Sequence, residues 1–145
     1  MKKTVLKLAV LALCGGCLYY AIEILWRGHS HWTMAVLGGI CFVLIGGINE
    51  FIPWNMPLVC QGLLGAAIVT ALEFLSGLIL NVWLGLGIWD YSRMPLNVLG
   101  QICLLYSILW IPLAMCAVVL DDWLRYWFFG EERPTYTLFK RGTRQ

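Results

Sequence analysis

Charged residues are scarce in this chain. They make up 12% of its 145 residues, while apolar residues make up 61%. A soluble domain carries about 25% charged residues, because its surface must face water. The composition therefore excludes a soluble globular protein and predicts an integral membrane protein whose solvent is the lipid bilayer.

The sequence also lacks the common motifs of nucleotide and hydrolytic chemistry. It contains no glycine-rich phosphate-binding loop of the P-loop type, no G-x-S-x-G and no H-E-x-x-H. Their absence excludes nucleotide hydrolysis and the common hydrolase mechanisms by motif. The net charge of +2 gives no reason to expect a nucleic-acid partner, and no residue pattern identifies a cofactor.

Potential metal ligands are few and poorly grouped. His29 and His31 lie in one short segment, without the third protein ligand that a zinc site needs. The six cysteines, including Cys14 and Cys17, all lie within apolar runs, so we interpret them as small packing residues. No metal site is therefore expected.

Four long apolar stretches fill almost the whole chain. Each is close to the ~20 residues that cross the hydrocarbon core as a helix, and they are Leu8–Trp26, Trp32–Phe51, Leu58–Trp83 and Leu96–Leu120. We interpret the first as an uncleaved span and not a signal peptide, because its apolar run is too long. The sequence thus predicts one all-α domain over residues 1–145, a four-helix transmembrane bundle.

Aromatic and charged residues alternate after the fourth span. Asp121, Asp122 and Arg125 fall on one face of a helix, and Trp123 and Trp127 fall on another. This pattern is typical of a short helix that lies in the membrane surface. We therefore expect a short C-terminal interfacial helix and a tail over residues 121–145, with a flexible basic end that binds anionic lipid.

Basic residues are concentrated at the two ends of the chain. Eight of the ten lie before the first span or after the fourth, and the other two are Arg27 and Arg93. Positively charged flanks stay on the cytoplasmic side of a membrane. Both termini are therefore predicted to be cytoplasmic, which places Arg27 and Arg93 outside.

Two short sequence words occur twice in the same order. The first is AIEIL at Ala21–Leu25 and ALEFL at Ala71–Leu75, and the second is VLGGIC at Val36–Cys41 and VLGQIC at Val98–Cys103. Ordered recurrence of this kind indicates an internal duplication. We therefore expect two parallel-repeat helical hairpins, over about residues 8–52 and 58–120, related by an axis along the membrane normal.

Ionisable and amide residues within the spans are the candidate site residues. An unpaired charge in hydrocarbon costs about 3 kcal/mol or more, so these side chains should face the bundle interior or water. The duplication would place Glu23 and Glu73 at equivalent depths, and Glu23 and Arg27 have the i,i+4 spacing of an ion pair. The binding or transport candidates of the outer half are Glu23, Arg27, Glu73, Asn81, Asp90, Tyr91, Asn97 and Gln101. The inner-face candidates, for which helix capping is an equal explanation, are Asn49, Glu50, Asn55 and Gln61.

Several of these residues carry a resemblance to a known family. The segments YYAIEILWRG at 19–28, GGINE at 46–50 and WDYS at 89–92, followed by Pro95-x-Asn97, are similar to those of the ABC-transporter type IV (CmpB-like) family. The resemblance covers nearly the whole chain. It implies a small polytopic protein of the bacterial cell membrane with a permease label, and an ABC role would require an ATPase partner.

Three functional hypotheses follow from these observations. The first is a transporter or channel component with a carboxylate-lined polar site in the outer half, because many carriers build such sites near the midplane of duplicated bundles. The second is an intramembrane enzyme that acts on a lipid or isoprenoid by Glu acid/base chemistry, and the third is a noncatalytic subunit. A buried carboxylate serves the first two equally well, so whether the chain is an enzyme stays open. We also expect a homodimer, because small-residue seams allow close contact between protomers.

Overall fold

The computed structural model describes residues 1–53 and 56–139. Its α-helices are α1 (Lys2–Arg27), α2 (Trp32–Gly46), α3 (Ile48–Phe51), α4 (Leu58–Gly77) and α5 (Leu104–Phe129). A six-residue π-helix, Leu78–Trp83, continues α4, and a small antiparallel hairpin of β1 (Asn97–Val98) and β2 (Ile102–Cys103) precedes α5. Four helical segments are long and apolar enough to cross a membrane: α1, α2 with α3, α4 with the π-helix, and α5. The predicted all-α transmembrane class is confirmed.

Helix α2 lies at the centre of the bundle. It packs along α1 and also contacts α4 and α5, while α4 and α5 form the second closely packed hairpin. In contrast, α1 touches α5 at only a few places. The two hairpins are therefore joined mainly through α2.

Glycines allow α1 and α2 to approach each other closely. A Cβ added at Gly16 would lie 2.4 Å from the carbonyl oxygen of Ala35, and one added at Gly39 would lie 2.6 Å from that of Ala12. Both obstacles are backbone atoms, which move only if a helix moves. Helix association in lipid depends on such contacts, because lipid tails are as apolar as the side chains they would replace. The small residues at 16 and 39 thus set the spacing of this pair.

The fourth spanning helix begins later than predicted, at Leu104 and not at Leu96. The backbone of Leu96 and Leu99 is left-handed, with φ of 54° and 52°, a conformation that a helix cannot contain. The apolar run of residues 96–103 therefore forms the small hairpin. As a result Asn97 and Gln101, predicted on the fourth span, lie in the connection before it.

Residues 121–129 do not form a separate interfacial helix but continue α5 to Phe129. The charged face predicted to meet solvent is turned inward: Asp121, Asp122 and Arg125 are 0%, 3% and 3% exposed. These side chains bond to one another and to α3, while Trp127 and Phe128 are exposed. The helix is amphipathic as predicted, but its charged face is buried in the bundle and its aromatic face is exposed.

The segment after α5 folds back onto the bundle. The carbonyl oxygens of Thr137 and Leu138 accept hydrogen bonds from the backbone N–H groups of Leu58 and Val59, at 2.7 and 3.5 Å. These donors start α4 and would otherwise lack an intrahelical acceptor. The expectation of a flexible tail is therefore wrong for residues up to 139. Predictions that concern Trp54, Asn55, Lys140, Arg141 and Arg144 lie outside the described residues.

The duplication receives uneven support from local conformation. Ala21–Leu25 and Ala71–Leu75 are both helical, in α1 and α4. Val36–Cys41 is helical as well, whereas Val98–Cys103 forms the hairpin. The second matching word therefore has no structural counterpart, and the internal repeat stays a prediction.

We predict that Gly39→Ala destabilises the protein, because the new methyl group pushes α2 away from the carbonyl of Ala12. Overpacking of this kind costs ~1–3 kcal/mol. The melting temperature in mild detergent should fall clearly. Ile40→Ala, on the lipid-exposed side of the same helix, is the control and should change it much less; equal melting of Gly39→Ala and the parent would contradict the proposed contact.

Candidate functional site

Glu73 on α4 is deeply buried, at 4% exposure. Its Oε1 accepts a hydrogen bond from the Tyr91 hydroxyl at 2.9 Å, and its Oε2 accepts one from Trp110 Nε1 at 3.1 Å. A carboxylate has about four acceptor positions, so each oxygen keeps capacity for a further donor. Within residues 1–53 and 56–139 Glu73 forms no ion pair, and both of its partners are neutral.

Glu23 on α1 is, in contrast, paired with a cation. Its Oε2 lies 2.9 Å from Nε of Arg27, as the i,i+4 spacing predicted. The contact is an ion pair without hydrogen-bond alignment, since neither atom has a hydrogen-bonding partner. The Tyr19 hydroxyl donates to Glu23 Oε1 at 2.9 Å. Arg27 also donates two long bonds, of 3.4 and 3.5 Å, to the carbonyl oxygen of Ile88.

An aromatic pair links the two carboxylates. The ring centroids of Tyr19 and Trp110 are 6.0 Å apart, and each ring donates to one of the two glutamates. We refer to Tyr19, Glu23, Glu73, Tyr91 and Trp110 as the Glu73 cluster. It lies towards the end of the bundle that holds the loops, away from both termini.

Tyr91 is the loop residue that reaches this cluster. Burial, and then the Glu73 carboxylate, raise its pKa above the ordinary value of 10.0. The phenol therefore stays protonated and remains a donor. Its ring stacks on Tyr106, with centroids 4.9 Å apart, so α5 holds the loop residue in place.

Asn81 and Gln101 order the loop that carries Tyr91. Asn81 Nδ2 donates to Gln101 Oε1 at 2.9 Å, and Asn81 Oδ1 accepts from the Ile88 N–H at 2.6 Å. The carbonyl oxygen of Gln101 accepts from Trp89 Nε1, also at 2.9 Å. Both amide side chains thus bond within the loop region and do not contact Glu73.

Asp90 and Asn97 make local turn contacts. Asp90 Oδ1 accepts from the Ser92 N–H at 2.8 Å, and Asn97 Nδ2 donates to the Met94 carbonyl at 2.8 Å. Hydrogen bonds from Ser92 lower the pKa of the exposed Asp90, and Arg93 contributes less. The structure therefore does not bring Asp90 or Asn97 into the Glu73 cluster.

Two of the inner-face candidates, Asn49 and Glu50, belong to a second group at the end of the bundle that holds the termini. Asn49 Nδ2 donates to Asp122 Oδ2 at 2.6 Å, Arg125 Nε donates to Asp121 Oδ2 at 2.6 Å, and Arg125 Nη1 lies 3.4 Å from Glu50 Oε1. We call Asn49, Glu50, Asp121, Asp122 and Arg125 the Asp121 cluster. Gln61 stands apart from it and donates to the Met56 carbonyl at 3.0 Å.

The chain after α5 closes the Asp121 cluster. The Tyr136 hydroxyl donates to Asp122 Oδ2 at 2.7 Å, and Glu131 pairs with Lys7 of α1. Burial, and then the Asp122 carboxylate, raise the pKa of Tyr136, so this phenol also stays a neutral donor. Asp121, Asp122 and Arg125 were assigned to a surface helix by sequence, so this cluster was missed.

Tyr19 and Trp110 are the other site residues that sequence reasoning missed. Tyr19 precedes Glu23 by four residues, which places both on one helix face. Trp110 lies within a span, whereas membrane tryptophans usually lie at the interfaces. These two signals were available in the sequence.

No group of three or more His, Cys, Asp or Glu side chains in the described residues is arranged to hold a metal ion. His31 instead caps α2, where its Nδ1 accepts a hydrogen bond from the Thr33 N–H at 3.3 Å. All six cysteines are free thiols. The polar chemistry of the described bundle therefore rests on its carboxylates and their donors.

A groove of about 270 Å³ runs from Glu73 between α1 and α5, with α2 as its floor. Apart from Tyr19, Glu73 and Trp110, its lining consists of aliphatic, phenylalanine, methionine, cysteine and glycine residues. The groove extends towards the other end of the bundle as far as Leu120. One end is thus polar and the remainder is apolar.

The sequence matches one family of membrane proteins over most of its length. The family model described as "Putative ABC-transporter type IV" matches residues 12–131, which include every member of both clusters. No curated protein and no solved structure matches the chain. The match covers most of the chain and confirms the resemblance drawn from its motifs. This integral membrane protein therefore belongs to the ABC-transporter type IV family.

Proposed function

We propose that the chain is a transport component of the membrane and that Glu73 is the centre of its binding site. The observation that carries this proposal is a carboxylate buried in the bundle without a cation partner among the described residues. A lone charge is costly at this depth. Glu73 therefore requires either a proton, which removes its charge, or a cation, which compensates it, and a transported or coupling species would supply one or the other.

The partners of Glu73 fit this role. Tyr91 and Trp110 hold the carboxylate in position but leave its charge uncompensated, because both are neutral donors. A cation bound to Oε1 weakens the hydrogen bond from Tyr91, because a hydrogen bond to an uncompensated anion is stronger than one to a neutralised acceptor. Since Tyr91 belongs to the loop, occupancy of Glu73 is then coupled to the position of that loop.

The distribution of basic residues supports the orientation that this proposal needs. With both termini in the cytoplasm, the Glu73 cluster lies in the outer half and the Asp121 cluster lies near the cytoplasmic face. We propose the bacterial cell membrane as the location, as the resemblance of the motifs implies.

The proposal includes two partners, a second copy of this chain and an ATPase. Four helices enclose a narrow interior, so we propose a homodimer in which a second copy completes the pathway. An ABC role also needs an ATPase, since this chain has no phosphate-binding loop. That partner would dock on the cytoplasmic face.

The orientation predicts how cysteines react in intact cells. In a variant whose native cysteines are replaced, Ser92→Cys should react with a membrane-impermeant maleimide, because Ser92 lies in the exposed loop. Thr135→Cys, exposed at the opposite end, should react only after permeabilisation. The reverse pattern would invert the topology.

The assembly predicts a dimer in mild detergent. Native mass spectrometry should show two copies at micromolar protein and a shift towards one copy on dilution, because lipid-embedded contacts are reversible. A monomer at every concentration would argue that one copy suffices.

Replacement of Glu73 by Gln should reduce flux in proteoliposomes by about tenfold or more, because a charge-assisted bond to the carried species is lost. The amide preserves the shape of the side chain, so the variant should still fold. Glu23→Gln should have a smaller effect, since Glu23 is already paired with Arg27. The measurement is dye-reported proton or cation movement under an imposed gradient.

Glu132→Gln is the matched control, because it makes the same chemical change at an exposed carboxylate. It should transport like the parent. Unchanged flux in Glu73→Gln would refute the assignment. Conversion of a lipid without any ion or solute movement would favour the intramembrane enzyme instead.

A further inference from the structure

The groove at Glu73 opens sideways towards lipid. Its rims are formed by α1 and α5, which touch at only a few places. Leu18 on one rim and Leu113 on the other are 46% and 41% exposed, and both lie well inside spans. A molecule dissolved in the bilayer therefore has direct access to the groove.

The loop side of the same site is covered. Tyr91 bonds to Glu73 and stacks on Tyr106. Arg27, the partner of Glu23, also bonds to the Ile88 carbonyl and so ties α1 to the loop. In this structure the route from water is thus closed by the loop, while the route from lipid is open.

The size and lining of the groove restrict what it can hold. A cavity of ~150 Å³ takes up benzene, and this groove has about 270 Å³. Its walls offer few polar atoms, so a small hydrated cation would lose its water without replacement. An apolar body larger than a benzene ring fits these walls.

The charge of Glu73 restricts which apolar molecules the groove can bind. A neutral lipid would leave Glu73 without a counter-charge, and an anionic one would be repelled by it. Both Glu73 oxygens keep acceptor capacity after Tyr91 and Trp110 are bound. A positively charged donor group on the apolar body satisfies both conditions.

We propose that the site binds a lipophilic ammonium compound, which enters from the bilayer, places its apolar body in the groove and bonds its ammonium group to Glu73. This inference rests on the proposed function and specifies the class of ligand. The ammonium group supplies the cation partner that Glu73 lacks among the described residues. The apolar walls of the groove take the place of the lipid that surrounded the apolar body of the ligand.

The test uses one hydrocarbon cage with three different head groups. Binding of adamantane-1-ammonium, adamantan-1-ol and adamantane-1-carboxylate is measured by titration calorimetry with the full chain in nanodiscs, after subtraction of empty nanodiscs. The ammonium should bind at least about tenfold more tightly than the other two, as a charge-assisted bond provides. Methylammonium, which lacks the apolar body, should not compete.

Variants locate the binding. Glu73→Gln should reduce ammonium affinity to that of the alcohol, and Leu113→Trp should weaken it about tenfold by filling the groove. Ile108→Trp is the control, because Ile108 is a comparably exposed residue of α5, at 51%, that does not line the groove. If Leu113→Trp fails to fold, Leu18→Trp fills the groove from the other rim.

The outcomes separate this inference from the proposed function. Equal binding of the three cages, or ammonium binding unaffected by Glu73→Gln, overturns the lipophilic ammonium. If Glu73→Gln still reduces flux by about tenfold or more in that case, transport at Glu73 stands. Methylammonium binding without cage binding likewise overturns the lipophilic part alone. If Glu73→Gln lowers neither the affinity for the ammonium compound nor the flux, both the lipophilic ammonium and transport at Glu73 are overturned.

Discussion

Every polar group that lies within a bilayer has to find its partner inside the protein, and this constraint organises the bundle. Arg27 neutralises Glu23 on α1, and Arg125 bonds to Asp121 on α5. Glu73 departs from this arrangement, because Tyr91 and Trp110 satisfy part of its hydrogen-bonding capacity but none of its charge. A buried group with that deficit is stable only if it is protonated or receives a cation, so structure and proposed function meet at one side chain.

The position of the groove follows from how α1 is held. The close contacts at Gly16 and Gly39 fix α1 against α2, and α2 also carries α4 and α5. Because α1 contacts the rest of the bundle mainly through α2 and touches α5 at only a few places, a gap to α5 remains along one side. Glycine packing and lateral access to Glu73 are therefore parts of the same arrangement.

The sequence predicted those features that depend on local chemistry. Apolar runs located the spans, and the i,i+4 spacing located the Glu23–Arg27 pair. It did not predict that Leu96 and Leu99 adopt left-handed backbone, because an apolar run before a helix resembles the helix itself. Nor did it orient residues 121–129, since an amphipathic pattern is the same whether the charged face meets water or a buried partner such as Asn49. The contact of Trp110 with Glu73 depends on how α4 packs against α5, and residue spacing within one helix does not encode that packing.

Both ends of the bundle are closed by the same type of contact. At one end Tyr91 of the loop donates to Glu73, and at the other end Tyr136 of the C-terminal segment donates to Asp122. Hydrogen bonds to an ionised acceptor are stronger than those to a neutral one. Neutralisation of a carboxylate therefore weakens the attachment of its tyrosine and of the segment that carries it. Glu73 lines the groove, whereas Asp122 does not. A ligand bound in the groove therefore changes the acceptor of Tyr91 and leaves that of Tyr136 unchanged, so the loop is the end that responds to a ligand.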